Sequence, residues 1–270
     1  MNVIKYNGTQ SDTLGLIVAN SNSEVSASRS FEKINVPGRN GTVLIDNGNF
    51  DNITISYDVV LTDASIPTIL DLSRWLLSPA GYCRLEESEK PEYYRMAVFN
   101  GNFEAVRTAL NEKGKATLTF ECMPQRFLLN NGADYVIDMD VSGGLYTYTN
   151  CANVGDFPYK PRFEITFPTY TFTTDTQVQL NAIPAGELSP TVIFDMTLTG
   201  TLSGKTLVVD FEEMTVTVDG AFPGSVTICS MILPEMGNGI HEFAAAATTN
   251  SLLTPITLSG AKIFPRSWRL

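Results

Sequence analysis

The sequence predicts a mainly β protein of two domains, a β-rich domain with one α-helix followed by a β-sandwich of the jelly-roll kind. Three observations support this fold class. Asn-Gly and Asp-Gly pairs, which tolerate positive φ and favour hairpin turns, recur along the chain. Short runs of alternating apolar and polar residues lie between these pairs. The charge balance also changes near residue 130, which divides the 270 residues into two parts.

The first part contains two clear strands and one helix. Apolar residues occupy the odd positions of Ile53–Val59 and the even positions of Thr117–Cys122, so both segments predict half-buried strands. Segment 65–78 begins with cap-forming residues and then carries apolar residues at roughly helical spacing, which predicts one helix of about three turns. Pro79 and Gly81 end this helix.

The second part is predicted to consist of strands. Met214–Asp219 alternates as a half-buried strand does, and a series of short strands with regularly spaced turns is typical of a sandwich. The alanine run in 242–249 is compatible with a turn of helix. Further strands are predicted at 163–167, 170–173, 191–199, 206–211, 225–232 and 255–263.

The predicted domain boundary depends on charge and on turn signals. Residues 1–130 carry 12 basic and 15 acidic side chains, a net charge of −3, whereas the later residues carry 6 and 14, a net charge of −8. Turn-forming sequences occur at 130–132 and 142–144. We therefore expect an N-terminal domain over 1–130, a linker over 131–144 and a C-terminal sandwich over 145–270.

Composition excludes several classes of function. With 18 basic and 29 acidic side chains, a net charge of −11, the chain is a poor partner for nucleic acid. Its single histidine, His241, excludes a multi-histidine metal site within one chain. No apolar run reaches the roughly 18 residues needed to cross a membrane. The N-terminus has no apolar signal segment, so we expect synthesis and folding in a cytoplasm.

No sequence motif indicates a catalytic, cofactor or metal site. Gly200–Thr206 differs from a phosphate-binding loop in its glycine spacing and in the strand that follows, so we interpret it as a hairpin turn. The sequence contains no G-x-S-x-G motif that could supply a nucleophile for His241. We therefore interpret His241 as a strand residue whose ring is either hydrogen-bonded or exposed. Cys122 lies on the apolar side of its strand, and all four cysteines are expected to be reduced, mostly buried thiols. Acidic pairs leave a hydrolase or a Ca²⁺ site as alternatives, but we predict no enzyme.

The tyrosines support an alternative function. Tyr146 and Tyr170 lie in the predicted sandwich and could stack on sugar rings through their flat apolar faces. Aromatic residues also suit cross-strand packing, which is the better interpretation for most of them. A carbohydrate-binding β-sandwich is therefore the alternative to a structural function.

An ordered set of short motifs runs through the N-terminal part. Val36 is followed by Pro37, Gly38, Arg39, Asn40 and Gly41; Trp75 closes the predicted helix; Tyr93 and Tyr94 follow Pro91; and Phe120, Cys122 and Pro124 form an F-x-C-x-P sequence. In this order the motifs resemble those of the distal tail protein family of long-tailed, siphovirus-type bacteriophages. The C-terminal part agrees more loosely, through Asn153, Gly155 and the closing Ser267-Trp268-Arg269.

The resemblance implies a structural virion protein at the tail tip. Such proteins form a six-membered ring whose N-terminal domain contacts the tail tube and the tail hub, while a galectin-like C-terminal sandwich faces outward. The signature residues named above are then candidates for assembly, with further copies of the chain, the tube protein and the hub protein as partners. The resemblance suggests a receptor-binding protein or a cell-wall glycan as a further partner. We expect no inserted binding module in a chain of 270 residues.

Overall fold

The computed structural model describes residues 2–62, 69–130, 133–142, 146–169, 175–198, 202–221, 226–232, 236–249 and 255–270. The chain divides into two compact units, residues 1–132 together with Leu270 and residues 133–269. Antiparallel strands make up most of each unit, which confirms the predicted mainly β class. The units are described separately below.

The first unit is a β structure with two helices among its described residues. Its elements are β1 (Ile4–Tyr6), β2 (Thr9–Gln10), a 3-10 turn (Asp12–Leu14), β3 (Leu16–Ser21), β4 (Arg29–Asn35), β5 (Thr42–Phe50), β6 (Ile53–Leu61), α1 (Ile69–Leu77), β7 (Cys83–Glu87), β8 (Tyr93–Phe99), α2 (Phe103–Lys113), β9 (Lys115–Cys122) and β10 (Arg126–Asn130). The strands predicted at Ile53–Val59 and Thr117–Cys122 are confirmed as parts of β6 and β9.

Seven of these strands follow one another in an antiparallel sheet in the order β2-β1-β7-β8-β9-β6-β3, and β10 joins the same sheet by pairing with β8. β6 and β9 pair in continuous register from Ile53 opposite Cys122 to Val60 opposite Lys115. Their apolar residues are buried on one side, as the alternation predicts. Consequently the centre of this unit is an aromatic cluster in which Phe120 is fully buried.

The structure corrects the prediction of a single helix. The helix predicted within 65–78 is present as α1, and residues 63–68 lie outside the described part of the chain. The second helix, α2, is not predicted by the sequence, because the Asn100-Gly101 pair before it is one of the Asn-Gly pairs that favour a hairpin turn. Asn102 caps α2 by accepting a hydrogen bond from the Ala105 N–H at 3.2 Å. Buried residues four positions apart fix its inner face.

The second unit consists of strands. Its elements are β11 (Ala133–Asp134), β12 (Ile137–Asp138), β13 (Thr149–Ala152), β14 (Arg162–Thr166), β15 (Thr176–Ile183), β16 (Thr191–Leu198), β17 (Thr206–Asp210), β18 (Thr215–Val218), β19 (Val226–Met231), β20 (Ile240–Thr249), β21 (Gly260–Phe264) and β22 (Trp268–Arg269). The segment predicted as a linker thus contains β11 and β12.

Two five-stranded sheets form a β-sandwich in this unit. The first has the order β12-β21-β14-β17-β18 and the second the order β13-β20-β15-β16-β19. Their inner faces share one apolar core. Phe163 of β14 contacts Phe243 of β20 edge to face, with ring centroids 5.3 Å apart. The finer description of the sandwich as galectin-like or jelly-roll remains a prediction.

Three details of the second unit differ from the sequence predictions or lie beyond them. Segment 242–249, considered as a turn of helix, is part of the ten-residue strand β20. The alternation over Met214–Asp219 predicts that Met214 begins a strand, but Met214 lies in a turn at φ 54° and is half exposed. The strand predicted at 170–173 lies outside the described residues.

Candidate functional site

The candidate site is the β4–β5 hairpin. Its strands pair only with each other among the described residues, from Arg29 opposite Phe50 to Asn35 opposite Thr42. Nearly all of its side chains are exposed. At the usual rise per residue the paired segment is about 20 Å long. The hairpin is therefore an element whose surface has no cover within the described chain.

The turn of this hairpin contains four of the predicted signature residues. Val36, Pro37, Gly38 and Arg39 form a turn in which the Arg39 N–H donates to the Val36 carbonyl at 3.2 Å. Pro37 occupies the position that needs φ near −65°, and Gly38 has φ 81°, so the sequence matches a type II turn. Gly41 has φ 83° where β5 begins. These residues shape the turn, because their conformations are those that proline and glycine provide.

One face of the hairpin carries an aliphatic strip, defined as Ile34, Val43 and Ile45. Ile34 lies opposite Val43, and Glu32 lies opposite Ile45, so these side chains share a face. Ile34 is 39% and Ile45 44% exposed. An aliphatic strip of this kind on an uncovered hairpin is a candidate contact surface.

The opposite face of the hairpin also exposes apolar groups. Leu44 lies opposite Lys33 and is 55% exposed, while Phe31 lies opposite Asp46. Near the base, Arg29 pairs with Asp46 at 2.7 Å and its guanidinium lies 5.3 Å from the Phe50 ring centre. These polar contacts order the base of the hairpin while both of its faces stay available to partners.

Trp75, Phe120 and Cys122 do not join this site, because they are buried in the interior of the first unit. Trp75 on α1 is buried and donates from Nε1 to the Tyr6 carbonyl at 3.1 Å. Phe120 contacts the rings of Tyr6, Tyr57 and Phe99 edge to face. Each therefore has a packing role in the described chain.

Tyr93, Tyr94 and Pro124 lie around the junction of β8, β9 and β10. The Tyr94 ring stacks on Phe127 with centroids 5.2 Å apart, and the Arg126 guanidinium lies 5.3 Å from the centre of Tyr93. The Pro124 carbonyl accepts a hydrogen bond at 3.3 Å from the buried Arg95. Since proline lacks an N–H, Pro124 also ends β9 before β10 begins.

The four cysteines fall into different environments. Cys122 and Cys151 are buried, Cys83 is half-buried and Cys229 on β19 is exposed, and all four are free thiols. The expectation of mostly buried thiols therefore has one clear exception. Burial raises the pKa of the Cys122 thiol to about 12 and that of Cys151 to about 11.

We expect Ellman's reagent to label Cys229 rapidly in the native protein at pH 8 and to leave Cys122 and Cys151 unmodified. The reactive species is the thiolate, and pKa values raised this far leave about one thiolate per thousand molecules or fewer. Unfolding in guanidinium should expose all four thiols. Rapid modification of Cys151 before unfolding, followed by mass spectrometry of peptides, would contradict the expectation.

His241 has no free ring nitrogen for catalysis. The residue is buried in β20, and its Nδ1 accepts a hydrogen bond from the Ala185 N–H at 3.0 Å. Its Nε2 lies 2.9 Å from the Gly237 carbonyl, to which it donates as the neutral tautomer.

Within the described ranges, no group of three metal-ligating side chains occurs. No helix in those ranges is long and apolar enough to cross a membrane.

The predicted sugar-contact residues have different outcomes. Tyr146 lies in the second unit, is 37% exposed and donates a hydrogen bond to Gln179. Tyr170 lies outside the described residues.

Phe31, Leu44 and the aliphatic strip are not among the residues that the sequence predicts for a site. The consecutive apolar residues Val43, Leu44 and Ile45 were a signal, but such a run is more typical of a buried strand.

One family model matches the N-terminal part of the chain. Residues 2–123 match the family described as "Phage tail protein N-terminal domain", and this segment contains the exposed hairpin. The match covers 122 of the 270 residues, so the first unit is similar to the N-terminal domain of bacteriophage tail proteins. No curated protein matches the chain.

Two solved structures share the fold of the chain. The chain is similar to the SPP1 Dit (gp 19.1) protein, described as a paradigm of the hub adsorption apparatus in phages that infect Gram-positive bacteria, with a TM-score of 0.55, 14% identity and 98% coverage of each chain. It is also similar to a chain of the phage P2 baseplate in its activated conformation with Ca, with a TM-score of 0.50, 9% identity and 97% coverage. At such identities the likeness shows the fold, and with the family match it confirms the resemblance to distal tail proteins.

Proposed function

We propose that this chain forms a closed ring at the distal end of a phage tail and joins the tail tube to the tail hub and host-adhesion apparatus. The observation that carries the proposal is the β4–β5 hairpin with its aliphatic strip. A lone two-stranded hairpin is marginally stable in water. A long hairpin with apolar groups on both faces is therefore better explained as part of an assembly than as a free arm.

Ring geometry requires two different surfaces on each copy. A closed ring is heterologous, so one surface of a copy contacts a different surface of the next. The hairpin supplies one of these surfaces, since its strands also have unpaired outer edges among the described residues. The signature turn at Pro37 and Gly38 fixes where the hairpin ends and thus how far it reaches.

Charge distribution supports the N-terminal part as the body of the ring. The first 130 residues have a net charge of −3, whereas the later residues have −8. Repulsion among copies around a common axis is smaller for the first part. An outward position lets water and salt screen the second part.

The proposed partners follow from this position. The ring contacts the tube protein on one side and the hub protein on the other, and the outward sandwich is available to a receptor-binding protein. Assembly takes place in the cytoplasm of the bacterial host. The role is structural, consistent with the satisfied ring nitrogens of His241 and the buried thiol of Cys122.

We expect the purified chain to assemble into a species near six times its 29.5 kDa mass. Size-exclusion chromatography with light scattering measures this mass across a range of protein concentrations. Negative-stain microscopy should show rings in the same fraction. A strictly monomeric chain that also fails to assemble when tube or hub protein is added would overturn the proposal.

A further inference from the structure

The second sheet of the sandwich has an unusual outward side. On β15, Val178 and Leu180 point into the core, so Gln177, Gln179 and Asn181 point outward. Asp195 on β16 lies opposite Gln179 and shares that side. The outward set, which we call the tyrosine–amide face, is Tyr146, Tyr148, Gln177, Gln179, Asn181 and Asp195.

Two tyrosine side chains cover two alanines on this face. Ala244 and Ala246 of β20 lie opposite Asn181 and Gln179 and share their outward side, yet both alanines are buried. Tyr146 donates to Gln179 Oε1 at 2.5 Å, and Tyr148 is hydrogen-bonded to the Asn181 side chain. β20 lies between β13 and β15. The two tyrosines precede β13 and bond to side chains of β15, so their rings lie over the alanines of β20.

The amide side chains continue this arrangement as a row of donors and acceptors. Gln177 Nε2 donates to Asp195 Oδ1 at 3.0 Å, and Gln179 Nε2 donates to Asp195 Oδ2 at 3.2 Å. Asn181 is only 7% exposed, and its Oδ1 is buried without a hydrogen-bond partner. A buried acceptor without a donor is costly, so a hydroxyl group arriving at this face would relieve that cost.

The backbone of Tyr146 adds an independent observation. Its φ of 62° lies in the left-handed region, which is uncommon for a bulky residue. Strained conformations of this kind concentrate at ligand-binding positions. Here the strain places an exposed aromatic ring beside Gln179, so the ring offers its outer side as a flat apolar platform.

The charge of the sheet limits what can bind. The five strands of this sheet contain no Lys or Arg, and their two carboxylates are Asp195 and Glu242. The basic side chains of this unit lie outside this sheet, and Arg162 and Lys262 belong to the other sheet of the sandwich. An anionic polymer would therefore be repelled, whereas a neutral one would not.

We propose that the tyrosine–amide face binds a neutral saccharide. The flat C–H side of a sugar ring packs on Tyr146, while its hydroxyls donate to Asp195 and Asn181 and accept from the Gln179 amide. A few polar groups that converge beside an aromatic platform are the usual composition of a small-ligand site. This proposal does not depend on ring formation, since all its residues lie in the second unit.

The test is isothermal titration calorimetry of the full-length chain with a panel of short neutral hexose and N-acetylhexosamine oligosaccharides. We expect at least one to bind with a Kd between about 1 mM and 1 μM. Tyr146→Asn removes the ring while keeping a residue that tolerates positive φ, and Gln179→Ala removes one amide. Each should raise the Kd about tenfold or more, the equivalent of one lost hydrogen bond or stacking contact.

Tyr82→Asn is the matched control, because Tyr82 lies in the first unit and is hydrogen-bonded to Glu121. It should bind as the unaltered chain does. Circular dichroism of every variant checks that the fold persists. Failure of the whole panel at about 10 mM sugar, preference for a negatively charged glycan, or unchanged binding by Tyr146→Asn would each overturn the proposal. Light scattering on the same samples tests ring formation separately.

Discussion

Replacing Ile34 and Ile45 together with lysine should convert the assembled ring into folded 29.5 kDa monomers. In the proposed ring, the aliphatic strip contributes both side chains to every contact between copies. Transferring an unpaired ammonium group into an apolar interface costs several kcal/mol, and a ring repeats this cost at each contact. In the isolated chain both positions are exposed, so the free energy of unfolding should change by only about 0.5 kcal/mol.

The measurement is the mass from light scattering, supported by the thermal unfolding curve of the same sample. Leu188→Lys with Ile240→Lys is the matched control, because it makes the same chemical change at two exposed aliphatic residues of the second unit. This control should keep the ring. If the hairpin variant still assembles, or if the control disassembles equally, the strip is not the contact that closes the ring.

Two strands of the first unit, β6 and β9, could be predicted because their pattern is local. β6 and β9 are buried on one side, so their alternation between apolar and polar residues is complete and easily detected. α2 gave a weaker signal, since only Val106 and Leu110 are buried in its eleven residues. The Asn-Gly pair before it is equally compatible with a hairpin turn, and only tertiary structure decides between the two.

β20 shows a different limit of sequence analysis. Its four consecutive alanines suit a helix by intrinsic propensity, yet they occupy both sides of a central strand. On the inner side Ala245 and Ala247 belong to the sandwich core. On the outer side Ala244 and Ala246 leave room for the rings of Tyr146 and Tyr148. Both reasons depend on residues distant in sequence.

The candidate site was only partly predictable for a related reason. The residues of the signature turn, Pro37 to Gly41, could be found from the motif alone, because turn chemistry is local. Trp75 and Phe120 belong to the same set of motifs but lie in the interior. A motif shows which residue type is required at a position, but it does not show whether that residue serves packing or assembly. The exposed fractions of the hairpin side chains in the structure make that distinction.

Phe120→Ala should lower the free energy of unfolding of the first unit by about 3–5 kcal/mol. Phe120 is fully buried, and its ring centre lies 5.0 Å from that of Tyr6, 5.7 Å from Phe99 and 5.9 Å from Tyr57. Alanine would leave a cavity among three rings that cannot easily close over it. The free energy of unfolding of a whole domain is about 5–15 kcal/mol. This single substitution therefore removes a large part of the stability of the first unit.

Phe31→Ala is the natural comparison, because it deletes the same ring from the exposed hairpin. Measured in urea, Phe31→Ala should change the free energy of unfolding by about 0.5 kcal/mol or less, while Phe120→Ala shifts the first unit's transition strongly. Both should leave the transition of the second unit in place, since that unit has its own core. Equal effects of the two substitutions would mean that Phe31 is buried in the free chain, and the hairpin would then no longer be a surface reserved for assembly.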